Sequence, residues 1–141
     1  MNRFDFWPKL LDDFIASRRD TPFAWGAHDC CLFACDAVLA MTGEDLAEEF
    51  RGKYDSALGA QRVLKEFGCE TVGELASRIA QKRSIRELPH LYAQRGDVVL
   101  VVQETQSLLA IVTHDGTEVW CPGKDKLELY PLERCDRAWR I

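Results

Sequence analysis

Residues 30–41 read Cys-Cys-Leu-Phe-Ala-Cys-Asp-Ala-Val-Leu-Ala-Met, an apolar run broken only by Asp36. A helix that is apolar on nearly every side has no face to offer water, so the rest of the chain must pack around it. Both ends are marked. Asp29 is suited to cap the first turn, and Gly43 supplies the stop. Asp36 is expected to face water or to hold a neighbouring polar loop. With Asp29 at the cap, Cys30 falls in the first turn, where unpaired backbone N–H groups and the positive end of the helix dipole stabilise a thiolate. Cys30 is therefore a candidate nucleophile, and equally a candidate core residue, because a free cysteine packs as a small apolar side chain. Cys31 and Cys35 lie four apart on one helical face and are expected inside.

Helical patterning surrounds this run. A first helix is expected from Pro8, burying Leu10, Leu11, Phe14 and Ile15 and ending at Arg18-Arg19-Asp20. Thr21-Pro22 then breaks to the loop that carries Trp25 and Gly26. Glu44–Arg51 reads as a short acidic surface helix, Ser56 opens another that stops at Gly68, and Thr71-Val72-Gly73-Glu74 fits a capping box for a third, through Ile79. After Pro89 the pattern changes. Val98–Val102 is apolar without alternation and predicts a strand covered on both faces. Strands are also expected at 107–113, 117–121, 127–130 and 138–141, with His114-Asp115-Gly116 as a hairpin turn and one helical turn near Pro131. Helices first (1–88) and an antiparallel sheet second (95–141) make one α+β domain over residues 1–141, with the helices packed on one side of the sheet.

Composition narrows the partners. The 141 residues are 47% hydrophobic and 29% charged with a net charge of −5, and no basic stripe interleaved with aromatics argues for nucleic acid. The N-terminal stretch has no apolar signal segment, and no run reaches transmembrane length, so synthesis in the cytoplasm without stable membrane insertion is expected. Six cysteines in a reducing compartment are expected as free thiols. Cys30, Cys31, Cys35, Cys121 and Cys135 could be imagined around a metal, but there is no C-x-x-C pair, and no metal or other cofactor is expected.

Phe23-Ala24-Trp25-Gly26, then Asp29-Cys30 opening an apolar helix, then Arg95-Gly96-Asp97-Val98-Val99 opening a core strand resemble the NlpC-like cell-wall cysteine peptidases, a circularly permuted papain-like superfamily. The resemblance spans about residues 20–141. It implies a permuted papain-type core, Cys30 as nucleophile, a substrate groove bordered by Trp25, Gly26 and Asp29, and peptidoglycan stem peptides as substrate. Trp25 on its own reads as a core plug at least as readily as a substrate platform. More narrowly, Asp29-Cys30-Cys31-Leu32-Phe33-Ala34 and the ending Ala138-Trp139-Arg140-Ile141 resemble small proteins of phage, prophage and gene-transfer-agent tail clusters. That implies a virion tail-tip or tail-assembly component, with other tail-hub proteins as partners.

The sequence also departs from the peptidase pattern. The family's base histidine lies on the second core strand, and here that position maps onto Leu108. Directly after the nucleophile the usual Ser-Gly is Cys31-Leu32, and no polar residue to orient a base is evident near Trp120-Cys121-Pro122. Three histidines remain. His28 is two residues from the thiol, His114 lies at the far end of the strand, about 20 Å from position 108 at ~3.4 Å per residue, and His90 is in a linker. A general base contributes roughly 100- to 10,000-fold, so without one hydrolysis at Cys30 would be feeble. Two readings follow: a structural tail protein on a degenerate peptidase scaffold, or an active endopeptidase or amidase using Cys30 with His28 or His114 as an atypical base.

Overall fold

The computed structural model describes residues 1–141. Helices α1 (Trp7–Arg18), α2 (Cys30–Thr42), α3 (Ala57–Glu66) and α4 (Val72–Lys82) precede strands β1 (Glu87–Leu88), β2 (Val98–Val102), β3 (Ser107–Val112), β4 (Glu118–Pro122), β5 (Leu127–Pro131) and β6 (Cys135–Trp139). The strands form one antiparallel sheet in the order β1-β6-β2-β3-β4-β5. The α+β class and the order of helices before sheet are those the sequence leads one to expect.

Helix α2 is central for the reason its composition gives. Every residue from Cys31 to Val38 is buried. Asp29 caps it, its carboxylate accepting the Leu32 N–H at 2.9 Å, and Gly43 ends it with φ +80°, donating its N–H to the Leu39 carbonyl. Ser56 and Thr71 cap α3 and α4 in the same way through the N–H groups of Gly59 and Glu74. The two faces of the sheet are both covered. Val98, Leu100, Leu109 and Ile111 meet α2 and residues of α1 and α4 such as Leu11, Ile15, Leu75 and Ala80. Val99, Val101, Ala110, Val112, Val119, Cys121 and Ala138 form a second cluster with Ala93 and Leu132. Ala93 follows the short 3₁₀ turn His90–Tyr92, and Leu132 opens a second one, Leu132–Arg134. The unalternating run of β2 is thus a strand with two apolar environments, and only Val102 at its end is exposed.

The turn that enters β2 is fixed by Asp97, whose side chain has no exposure. Its carboxylate accepts Arg140 Nε at 2.9 Å, Arg3 Nη2 at 3.3 Å, and the backbone N–H groups of Gln94 at 2.9 Å and Ile141 at 3.1 Å. One buried side chain therefore clasps both chain ends to the start of the sheet. The ending Trp139-Arg140-Ile141 has a structural task here.

Four expectations are corrected. Asp36 does not face water. It is buried in α2, where Arg18 of α1 donates at 3.1 Å and Arg51 at 2.7 Å. Glu44–Arg51 is a series of turns rather than a helix, because the Asp45 side chain takes the Ala47 N–H two residues on and also binds Arg51, an Asx arrangement that competes with helical bonding. The last strand begins at Cys135, not Ala138, and pairs with β2 across an irregularity at Leu100/Val101. Finally, Trp25 is no core plug: it is 43% exposed and packs edge-on against Phe23 at 4.9 Å.

Candidate functional site around Cys30

The loop before α2 is tied into a fixed shape. Ala24 and His28 exchange both backbone hydrogen bonds, which pinches out Trp25, Gly26 and Ala27. Gly26 has φ +79°, and a Cβ there would strike the Tyr54 carbonyl oxygen, so only glycine fits. Asp29 is then gripped from three sides. Besides Leu32, the Gly26 N–H donates to it at 3.0 Å and the Tyr54 hydroxyl at 2.5 Å. Beside this buried carboxylate the Tyr54 phenol is pushed up, by desolvation first and the Asp29 bond second.

Cys30 is the first residue of α2, and its half-buried side chain packs against the second apolar cluster together with Leu108 and Tyr130. Burial decides the state of the thiol. Desolvation pushes it up to about 12, against smaller favourable effects from the Leu109 backbone and its own helical turn at Cys31, with Asp29 adding repulsion. The helix start that favours a thiolate is outweighed.

Its neighbours are apolar or sulfur. Cys121 of β4 lies in the same cluster and donates its S–H to the Leu109 carbonyl at 3.4 Å; desolvation, then the neighbouring Cys30, push it up as well. Leu108, where the resemblance places an imidazole, turns to this cluster too. Polar groups appear only at the rim. Gln103 donates to the Tyr130 hydroxyl at 3.3 Å, which donates to Glu128 at 3.0 Å, and the Glu128 carboxyl lies over Gly123, where a Cβ would not fit. No group of three His, Cys, Asp or Glu side chains is placed to hold a metal ion.

The histidines are placed elsewhere. His28 is buried on the α1 side of the loop. Arg18 donates to its Nδ1 at 3.3 Å, its ring meets Phe33 edge-on, and its Nε2 has no partner. Because the guanidinium is always a donor, the ring is neutral with its proton on Nε2. Desolvation and then Arg18 lower its pKa. His114 is exposed in the β3–β4 turn, at a cleft shared with Arg19, Arg95 and Trp120 of the helix side. His90 opens a 3₁₀ turn. None is hydrogen-bonded to Cys30. The structure therefore joins Gly26 to Asp29 at the start of the Cys30 helix, with Trp25 exposed in the same loop, and leaves neither candidate base hydrogen-bonded to the thiol. It adds Tyr54 and Cys121. Tyr54 had no local signal, being 25 residues from its partner; Cys121 stood in the segment searched for an orienting group but offered only a thiol.

Comparison with solved structures gives the NlpC/p60 domain of the peptidoglycan hydrolase SagA, with a TM-score of 0.56, 15% sequence identity, and coverage of 94% of this chain and 97% of that one. At that identity the likeness shows the fold, which is NlpC/p60-like. No curated protein matches the chain. The model of the family described as "Domain of unknown function (DUF6950)" matches residues 2–141, so essentially the whole of this α+β chain, with its capped Cys30 helix, belongs to that family.

Proposed function

We propose that the protein is a phage-type tail-tip or tail-assembly component that uses an NlpC/p60-like scaffold structurally and has lost competent hydrolysis. One observation supports the second half of this reading: Cys30 opens its helix against the apolar cluster that holds Cys121 and that Leu108 also packs on, with no imidazole hydrogen-bonded to it and its thiol pushed up by burial. A cysteine nucleophile needs a partner that takes its proton, and the cluster that Cys30 packs on supplies aliphatic groups and buried thiols. The tail assignment rests on the resemblance of Asp29–Ala34 and of the ending Ala138–Ile141, with other tail-hub proteins as partners and the virion tail tip as location.

The competing reading, an endopeptidase or amidase acting on peptidoglycan, draws support from the triply bonded Asp29 cap and the exposed Trp25 of the loop before Cys30. Zymography on purified cell walls separates the two. No clearing by the native protein is expected; clearing that disappears in Cys30→Ala would overturn the loss of chemistry. The tail role is tested by assembly. Deleting the protein from a phage that encodes it is expected to give incomplete tails, whereas Cys30→Ala leaves them complete and infectious; normal tails after deletion would refute that role.

A further inference from the structure

One face of α1 carries Leu11, Asp12 and Ile15, and Arg19 continues that face because its backbone is still helical just past the last turn. Two rows of the sheet stand opposite. The first sets Ile111, Trp120 and Leu129 side by side across β3, β4 and β5. The second, two residues along, sets Thr113 beside Glu118, whose carbonyl takes the Thr113 N–H at 2.9 Å. Between helix and rows lies a cleft of about 330 Å³, a size that suits a small ligand. Neither Cys30 nor any residue of the loop before it lines this cleft.

The two ends of the cleft differ in charge. At one, the Arg19 guanidinium stands over the Trp120 ring, 5.8 Å from its centroid, and the Arg19 carbonyl takes the Leu127 N–H at 2.9 Å. No carboxylate pairs with Arg19. At the other end Asp12, Asp115 and Glu118 stand with Arg95 and His114. Arg95 donates to Asp12 at 2.8 Å, and Asp115 accepts the Thr113 hydroxyl at 2.8 Å and the Thr117 N–H at 3.2 Å. Three carboxylates against one guanidinium leave this end negative even when the imidazole is protonated. Buried Leu11, Ile15 and Ile111 make an apolar floor between the ends. Asp12 and Arg19 are seven residues apart, about 10 Å along a helix that rises ~1.5 Å per residue. An extended chain covers that span in roughly three residues.

We propose that this cleft binds a short apolar peptide with free ends, its carboxylate at Arg19 and its ammonium among Asp12, Asp115 and Glu118. The apolar floor takes the side chains, and Trp120 with the exposed Leu129 forms the outer wall. A zwitterion matches both ends at once, whereas a simple anion meets repulsion at the acidic end and a simple cation at Arg19. The site binds and breaks no bond, so it stands whether or not hydrolysis survives at Cys30.

The test titrates the full isotope-labelled chain with the tripeptide Ala-Leu-Ala, to about 10 mM as suits a weak ligand, and follows the Trp120 indole and the backbone of residues 113–118 by NMR. Saturable shifts at those resonances are expected. Amidating the peptide's carboxyl end is expected to weaken binding about fivefold, the upper end for a solvent-exposed ion pair, and acetylating its amino end is expected to weaken it as well. Arg19 is exposed, so Arg19→Ala leaves the core intact; it should weaken the free peptide by the same factor and make amidation cost nothing further, because the partner it removes is the one that amidation disables. No shift at the highest peptide concentration, shifts centred on Trp25 and Cys30 instead, or an amidation penalty that persists in Arg19→Ala would overturn the proposal. The first two outcomes are read in the native chain and do not depend on the variant.

Discussion

Asp97 and Cys30 both adjoin β3, one at its end through the Val112 N–H that donates to the Asp97 carbonyl, the other near Leu109 at its middle. Both are ionisable groups taken out of water, and their surroundings differ in kind. Asp97 receives two guanidinium groups and two backbone N–H groups. Cys30 packs on an apolar cluster that includes the Cys121 thiol, with Leu108 and Tyr130 against the same cluster. A buried charge survives only when paired and hydrogen-bonded; otherwise the group keeps its neutral form. Four donors thus meet the carboxylate that holds the chain ends, whereas the cluster beside the thiol is apolar.

The sharpest way to break this contrast is at the paired end. Asp97→Ala would strand Arg3 and Arg140 and leave two N–H groups without an acceptor. A loss of about 3 kcal/mol is expected, toward the lower end for a disrupted buried pair because both arginines keep some water contact. Urea unfolding of the variant measures it. A loss under about 1 kcal/mol would mean that the clasp is replaceable and the contrast overstated.

At the other end the converse change restores a partner. Leu108→His places an imidazole on the strand position turned to the thiol cluster, and alkylation of Cys30 at pH 7 is expected to quicken by roughly 100-fold, the low end for general-base assistance. Iodoacetamide kinetics, with Cys30→Ser subtracting the other thiols, give the number. An unchanged rate would show that position 108 does not oppose Cys30, and the reading of lost chemistry would have to find another cause.

A smaller effect probes what aims the thiol. Tyr54→Phe deletes one of three donors to Asp29 while keeping the ring, and about 1.5 kcal/mol of stability is expected to go with it, as for a bond to a charged acceptor. No change in the urea midpoint would mean that water or the remaining two N–H groups suffice.

How far these two ends could be read beforehand depends on the range of the forces involved. Asp29, Ser56 and Thr71 were legible as caps because a cap is set within three residues, and Val98–Val101 as doubly covered because burial is written in their own side chains. The expectation that Leu108 stands opposite Cys30 comes through family pattern, since nothing local joins residues 78 apart in sequence, and both side chains pack on one cluster. Asp36 misled because its partners, Arg18 and Arg51, come from either side of the helix, 18 residues before it and 15 after. The Glu44–Arg51 turns misled for the opposite reason: acidic helix-forming residues were weighed together, while one local contact, Asp45 to the Ala47 N–H, decided the outcome. Trp25 reads as a core plug in the sequence, yet its loop is fixed by Gly26 and the Ala24–His28 bridge, and the indole is exposed.

His28 supplies the smallest test, and it extends the contrast to a third buried group. Its ring sits beside Arg18 with Nε2 unpartnered, so protonation in the folded state would add a desolvated charge next to a guanidinium, offset only in part by Asp36 and Asp29. The folded pKa is therefore below the unfolded value of about 6.5. Between the two values the unfolded chain binds the extra proton and the folded chain does not, so stability rises with pH across that interval. The contribution is intact above pH 6.5, falls as the pH drops below it, and levels off beneath the folded pKa. Unfolding midpoints taken from pH 7.5 to 5 in the native protein and in His28→Gln isolate it from the carboxylates, which both proteins share. The native curve is expected to fall more steeply below pH 6.5 than that of the variant. Parallel curves would mean that Asp36 compensates the charge fully, placing His28 with Asp97 among the partnered groups rather than with Cys30.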